Sequence, residues 1–219
     1  MAEINLMDQY PRSKRPIDER ANRVTDADRA IARQFGKDYF DGDRIHGYGG
    51  YNYHPRFWQA TVRCFRDHYG LKPGDRVLDI GCAKGFLLQD FNELIPGLTV
   101  AGLDISEYAI ANAKPEVKPF LRLGNAKELP YDDRSFDLVI AINTIHNLDL
   151  PECKQSLREI QRVTRRHAFI MVDAWRNEEE RERLQRWVVT CKTAMHVDAW
   201  KNLLNEVGYR GDCWWFIAE

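Results

Sequence analysis

From residue 76 onward, short apolar runs alternate with segments of helical periodicity, and that alternation leaves few folds open. RVLDIGC (76–82) is an apolar strand. In GFLLQDFNELI, Phe86, Leu87, Phe91 and Leu94 fall on one side of a helix, which Pro96-Gly97 ends. LTVAGLDIS (98–106) is a second strand, EYAIANAK a helix, and VKPFLRLGNA (117–126) holds a third strand. FDLVIAIN (136–143) is a fourth, a helix follows over 152–165, and HAFIMVDAW (167–175) is a fifth. Helices are expected at 178–192 and 196–207, with Gly208 ending the second, and YRGDCWWFIAE holds one last strand. Strands joined through helices need crossovers, so the sheet is mostly parallel and covered on both faces. The expected class is α/β, a Rossmann-like, doubly wound sheet of six to seven strands behind an N-terminal helical or lid segment. Ligands of such sheets bind beyond the carboxyl ends of the strands.

The expected division is an arm, lid and helix over 1–70 and one globular unit over 71–219. Lysine plus arginine number 32 against 33 acids, a balance unlike that of a dedicated nucleic-acid binder. The five cysteines, Cys64, Cys82, Cys153, Cys191 and Cys213, form no CxxC, which fits reduced thiols in a cytoplasmic setting better than a zinc ribbon. There is no apolar run of membrane-spanning length and no leader-like segment, so no membrane span is expected. His196 and Asp198 are a weak metal pair, with Asp198 better read as a helix cap, and no metal site is assigned. Arg158, Arg162, Arg165 and Arg166 read as a solvated face, and Arg12, Lys14 and Arg15 as a solvated tail with a phosphate contact as the alternative.

The first strand runs into Asp79-Ile80-Gly81-Cys82-Ala83-Lys84-Gly85. Glycines in a strand-to-helix turn allow close approach of a ligand, and the helix start supplies N–H donors. The second strand ends in Asp104, 19 residues after Gly85 (104 − 85), where an acid can hold a ribose diol. Ser106 is the better cap for the next helix. The turn is not G-x-G-x-x-G, because the sixth position from Gly81 is the bulky Phe86. That speaks against an NAD-linked oxidoreductase.

VLDIGCAKGF resembles the first motif of class I S-adenosylmethionine (SAM)-dependent methyltransferases, and AGLDIS the second. LGNAKELPYDDRSFDLVIAINTIHNL resembles the third and fourth, and LREIQRV with HAFIMVD the helix and strand after them. The resemblance covers 76–173 and implies SAM as cofactor and S-adenosylhomocysteine as product. It places Asp79, Gly81, Ala83 and Gly85 at the methionine part, and Asp104 at the ribose. Ile105 falls on the adenine face, Asn125 and Ala126 at the adenine edge, and Asn143 near the sulfonium. Ala83 replaces the usual middle glycine, Asn125 stands where an aspartate is common, and only one strand is visible after the fifth.

Methyl transfer needs alignment and exclusion of water, and a base only where the acceptor must lose its proton early. His146, after the fourth strand, is the leading base, with packing at a loop as its other reading; Asn143 and Asn147 would orient. The segment 38–58 reads as a substrate lid or as a packed strap, carrying Tyr39, Arg44, His46, Tyr48, Tyr51 and Tyr53. Asp173, Trp175 and Arg176 follow the fifth strand and could face an acceptor. The expected activity is methyl transfer to an oxygen or nitrogen of a small polar molecule, with sugars or nucleotide-sugars as the leading class. A quinone-type acceptor and a non-catalytic SAM-binding protein are the alternatives. The chain is expected to be a monomer or a homodimer.

Overall fold

The computed structural model describes residues 1–12, 15–49 and 51–219; Lys14 and Gly50 lie outside the described residues. Seven strands form one sheet: β1 (Arg76–Ile80), β2 (Thr99–Asp104), β3 (Leu121–Leu123), β4 (Phe136–Ile142), β5 (Thr164–Trp175), β6 (Met195–His196) and β7 (Asp212–Phe216). Their order is β3-β2-β1-β4-β5-β6, with β7 also on β5, and every pairing is parallel. The two-residue β6 meets only Ala174 and Trp175, while β7 takes Phe169 to Asp173. The helices are α1 (Ile17–Arg23), α2 (Asp26–Ala32), α3 (Lys37–Asp41), α4 (Pro55–Tyr69), α5 (Phe86–Leu94), α6 (Glu107–Ala111), α7 (Leu150–Val163), α8 (Glu178–Trp187) and α9 (Val197–Glu206).

The apolar runs are strands because both sheet faces are covered, and the period of two sorts their side chains. Leu78, Ile80, Val139, Ala141, Ile170 and Val172 enter one core cluster, with Ile160 and Trp200. Val77, Leu138, Ile140, Phe169 and Met171 enter the other, with Phe65 and Phe91. Helix α4 belongs to this second layer: the ring of Phe65 meets that of Phe169 edge-on, centroids 5.1 Å apart. His54 caps α4, Pro55 opens it and Gly70 closes it in the left-handed region. At the far edge, Ile4 N donates to Cys213 O (3.0 Å) and Cys213 N to Ala2 O (2.9 Å), so residues 2–4 cover the outer edge of β7. Trp215 is buried in the core beneath β7.

Several boundaries depart from expectation. The helix anticipated over 178–192 ends at Trp187, so Val188 and Cys191 do not share its face. Tertiary bonds win there: Val189 N donates to Tyr48 Oη (2.8 Å), and Lys192 N and Thr193 N donate to His146 O (3.0 and 2.9 Å). The third strand shrinks to three residues behind a 3-10 turn at Lys118–Phe120, where Pro119 has no N–H for a ladder. Strand β5 begins at Thr164, earlier than expected, and α6 ends at Ala111. His196, not Asp198, caps α9, its ring accepting from Asp198 N. Arg162, Arg165 and Arg166 are not a free solvated face, since they pair with Glu159 and Asp133, with Asp137, and with Asp75 and Asp137. No helix among the described residues is long and apolar enough to cross a membrane.

Because Phe65 joins α4 to the sheet with no exposure, Phe65→Ala should destabilise by about 3–5 kcal/mol. A single cooperative denaturant transition, displaced as a whole, is the expected observation; an unshifted midpoint would show that α4 is not part of the folded core.

Candidate cofactor and acceptor site

A cavity of about 1000 Å³ opens at the carboxyl ends of the strands, between the sheet and the N-terminal arm. Its volume lies near the top of the range for small-molecule sites, roughly 300–1,000 Å³, and leaves room for a cofactor beside an acceptor. Gly81 and Ala83 line it from the turn after β1, Asp104 and Ile105 from the end of β2, Asn125 and Ala126 after β3, and Asn143 and His146 after β4. This is the switch-point region expected of an open parallel sheet.

The turn after β1 is fixed by backbone conformation. Gly81 (φ 79°), Ala83 (φ 49°) and Gly85 (φ 76°) are all left-handed. A Cβ on Gly81 would overlap the side chain of Thr144, and one on Gly85 would lie 2.8 Å from Val117 Cγ2. Both glycines are therefore demanded by packing as well as by φ, and Gly85 does not itself reach the cavity. Asp104 draws the strand ends together, accepting from Ala83 N (2.7 Å) and Ser106 N (2.8 Å). Ser106 also caps α6 through Ala109 N, as expected. Burial raises the Asp104 carboxyl, and the backbone donors oppose that rise. Asp79 lies behind the turn rather than on the cavity wall. Burial, with a smaller effect from the charge of Asp104, pushes its carboxyl up to about 7. Ile105 is 54% exposed on the cavity lip, an apolar face open to a flat ring. Asn125 accepts Lys127 N at its Oδ1 (3.1 Å), which leaves its Nδ2 for another partner. Asn143 is left-handed (φ 52°), with its N–H on Met171 O (2.9 Å) and its carbonyl on Asn147 Nδ2 (3.3 Å).

His146 is buried beside Asp173 at the end of β5. Its Nδ1 accepts Asp173 N (3.0 Å), so the ring proton sits on Nε2, 3.5 Å from Asp173 Oδ2. Burial lowers His146 and raises Asp173, each opposed by the other. Cys191 joins them: donor atoms of the three residues lie within 4.8 Å of one another, a cluster the sequence reading does not anticipate. Each already has a hydrogen-bonding role, with the Cys191 thiol also on His146 O (3.6 Å).

The arm forms the roof. Tyr39, Arg44 and Tyr48 line the cavity, and Asn52, Phe57 and Trp58 continue the wall. His46, Tyr51, Tyr53 and Trp175 do not, contrary to the grouping drawn from sequence. His46 is turned to Asp28 (2.9 Å), Tyr53 donates to Asp90 (2.5 Å), and Tyr51 lines a smaller neighbouring pocket beside Lys84. Trp175 packs with Ile17 and Leu184. The roof is pinned by Arg20, whose guanidinium donates to Arg44 O (2.8 Å), Ile45 O (3.3 Å) and Gly47 O (3.1 Å) while lying over the rings of Tyr48 and Trp187. Arg20 does not stand out in sequence from the charged arm around it, while Arg15, read from sequence as part of a solvated tail with a phosphate contact as the alternative, lines the cavity.

A parallel sheet, an acid at the second strand tip and a glycine turn at the first define a nucleotide-type cofactor site. The description "Methyltransferase domain" matches residues 71–210, and the chain belongs to that family. It carries a SAM-dependent methyltransferase domain of class I, the class whose methyl donor is SAM. A demethylmenaquinone methyltransferase of Symbiobacterium thermophilum is 33% identical over 48% of this chain and 45% of its own length. A 27-O-demethylrifamycin SV methyltransferase of Amycolatopsis mediterranei is 32% identical over 53% of this chain and 48% of its own. A sterol 24-C-methyltransferase of Gibberella zeae is 31% identical over 60% and 38%. The chain thus spans about half the length, or less, of these relatives. Among solved structures, a methyltransferase of Bacillus halodurans aligns with a TM-score of 0.53 at 19% identity, over 67% of this chain and 68% of that one. The [4+2]-cyclase SpnF aligns equally well, at 0.53 and 20% identity over 68% and 58%. These two likenesses speak to the fold alone.

Two outcomes follow from the turn. Gly81→Ala should destabilise by about 1–3 kcal/mol, as a strained φ and a clash with Thr144 coincide; an unchanged melting temperature would contradict the packing described. For Asp79, the raised carboxyl means that the folded chain holds a proton the unfolded chain has released between pH 4 and 7. Its contribution therefore falls as pH rises through that window and stays unfavourable above it. Asp79→Asn should flatten that part of the stability–pH curve of the ligand-free protein, and a curve parallel to wild type would contradict the burial cause.

Proposed function

We propose that the protein transfers the methyl group of SAM to an oxygen or nitrogen of a small polar molecule held in the same cavity. The observation that carries this reading is the cavity itself. Gly81, Ala83, Asp104, Ile105, Asn125 and Ala126, six positions that the resemblance assigns to SAM, line one end of it, and the His146–Asp173 pair lines the rest under a closed roof.

The residues present fit the cofactor. Asp104 stands on the wall for the ribose hydroxyls, Ile105 offers an apolar face for adenine, and the left-handed turn at Gly81 and Ala83 supports the methionine end. When bound, SAM supplies an electrophilic methyl group on a sulfonium. The chain does the positioning: Asn143 anchors the tip of β4 beside the transfer point, and the arm pinned by Arg20 excludes water. A proton leaving the acceptor goes to the Asp173 carboxylate, whose burial makes it a stronger base than an exposed carboxylate. His146 keeps its Nε2–H toward that carboxylate, and its Nδ1 lone pair is committed to the backbone. The histidine thus acts by orienting and stabilising Asp173 rather than by taking the proton directly. Sugars fit the polar wall; the second reading, a quinone-type acceptor, draws on the aromatic wall of Tyr10, Phe57 and Trp58.

Calorimetry with SAM and S-adenosylhomocysteine is the direct test. Micromolar binding, weakened at least tenfold by Asp104→Ala, is the expected result. Absence of binding by the wild-type chain would sink the proposal. Asp173→Asn should leave cofactor binding within threefold while lowering turnover of an acceptor by about 100-fold or more.

A further inference from the structure

Among the described residues, six cationic side chains line the cavity, Arg12, Arg15, Arg33, Arg44, Arg56 and Lys192, against three acids, Asp104, Glu152 and Asp173. This excess occurs in a chain whose overall charge is −1. The acids are engaged: Asp104 with backbone amides, Glu152 with Lys127, and Asp173 with His146. The cations are not balanced by them. Five of the six lie at the exposed rim, where water screens them. Arg15 is different. It is half-buried, with its guanidinium over the ring of Phe216 (4.6 Å) and near that of Trp187 (5.8 Å). Among the described residues no carboxylate lies within ion-pair distance of it, and its side-chain N–H groups find no protein acceptor. Burial opposes its charge, and the carboxylates of Glu219 and, less strongly, Asp173 favour it from beyond ion-pair distance.

A guanidinium taken partly out of water, fixed between two rings and left with all its donors, matches one kind of partner: a planar or tetrahedral oxyanion able to accept two parallel hydrogen bonds. Its place in the sheet says whose anion that is. The positions that the resemblance gives to SAM lie at the tips of β1, β2 and β3, with Asn143 at the tip of β4 next to the sulfonium, whereas Phe216 ends β7, Trp187 ends α8 and the charge of Asp173 reaches Arg15 from the tip of β5. Arg15 thus stands on the opposite half of the cavity, next to the group assigned the acceptor's proton. We propose that Arg15 in its aromatic slot binds a carboxylate or phosphate of the methyl acceptor, so that the acceptor is an anionic small molecule and the N-terminal arm completes its site. This rests on the methyltransferase reading.

The test uses the full chain saturated with S-adenosylhomocysteine and titrated with three probes of one shape: benzoate, phenyl phosphate and neutral benzamide. At least one anion should bind tenfold or more tightly than benzamide, and which of the two does so separates a carboxylate from a phosphate acceptor. Arg15→Met, which keeps the stem against the rings, should erase that preference and leave S-adenosylhomocysteine affinity within threefold; Arg15→Lys should restore part of it. Equal binding of all three probes, or no binding of either anion, overturns the proposal. So does a tenfold loss of S-adenosylhomocysteine affinity in Arg15→Met, which would make Arg15 the holder of the cofactor's own carboxylate. The probe comparison in the wild-type chain stands even if the variants fail to fold. Failure of the wild-type chain to bind S-adenosylhomocysteine would count against the methyltransferase reading instead, and the same probes added without it would still report on Arg15.

Discussion

Two buried carboxylates at the tips of neighbouring parallel strands set the terms for everything built around them. Asp79 and Asp104 lie in a low-dielectric pocket where burial raises both carboxyls and the charge of Asp104 raises that of Asp79 further. Asp104 stays tolerable because the turn after β1 and the start of α6 aim N–H groups at it. That requirement dictates the left-handed turn at Gly81 and Ala83, and the turn in turn requires Thr144 to fill the space a side chain at Gly81 would occupy. The tips of β1, β2 and β4 are thereby locked into one unit. Such a tip presents a buried acid to the cavity, while the end of the cavity near β5 and β7 holds the half-buried Arg15.

The sheet was legible in the sequence because its strands are buried on both faces and so read as unbroken apolar runs, FDLVIAI above all. The turn after β1 and the acid at the tip of β2 were legible because glycines and an acid at strand tips are short-range features. Boundaries failed where long-range bonds decided them. Nothing local distinguishes residues 188–192 from a continuing helix; Tyr48 Oη and the His146 carbonyl claim their amides from 141 and 46 residues away (189 − 48; 192 − 146). The lid was legible as a segment but not residue by residue. His46 and Tyr53 have the chemistry of ligand-binding groups, yet Asp28 and Asp90 take up that chemistry within the fold. Arg15 and Arg20 show the reverse error. In composition they belong to a solvated arm, and only the rings of Tyr48, Trp187 and Phe216, brought in from elsewhere in the chain, turn them into a clamp and a candidate anchor.

That contrast bears on what the relatives can teach. The family match spans residues 71–210. Within it lie the strand tips that resemblance assigns to SAM. The acceptor half is built otherwise. Tyr10, Arg15, Tyr39, Arg44, Phe57 and Trp58 precede the matched segment and Phe216 follows it. Relatives named for a quinone, a rifamycin or a sterol match roughly half of this chain, and a cyclase has the same sheet, so the fold alone does not name the reaction. The identity of the acceptor is therefore a question about the arm. The arm answers it in its own terms: aromatic faces for a ring or a sugar, and one half-buried guanidinium whose charge the protein leaves for something else to neutralise.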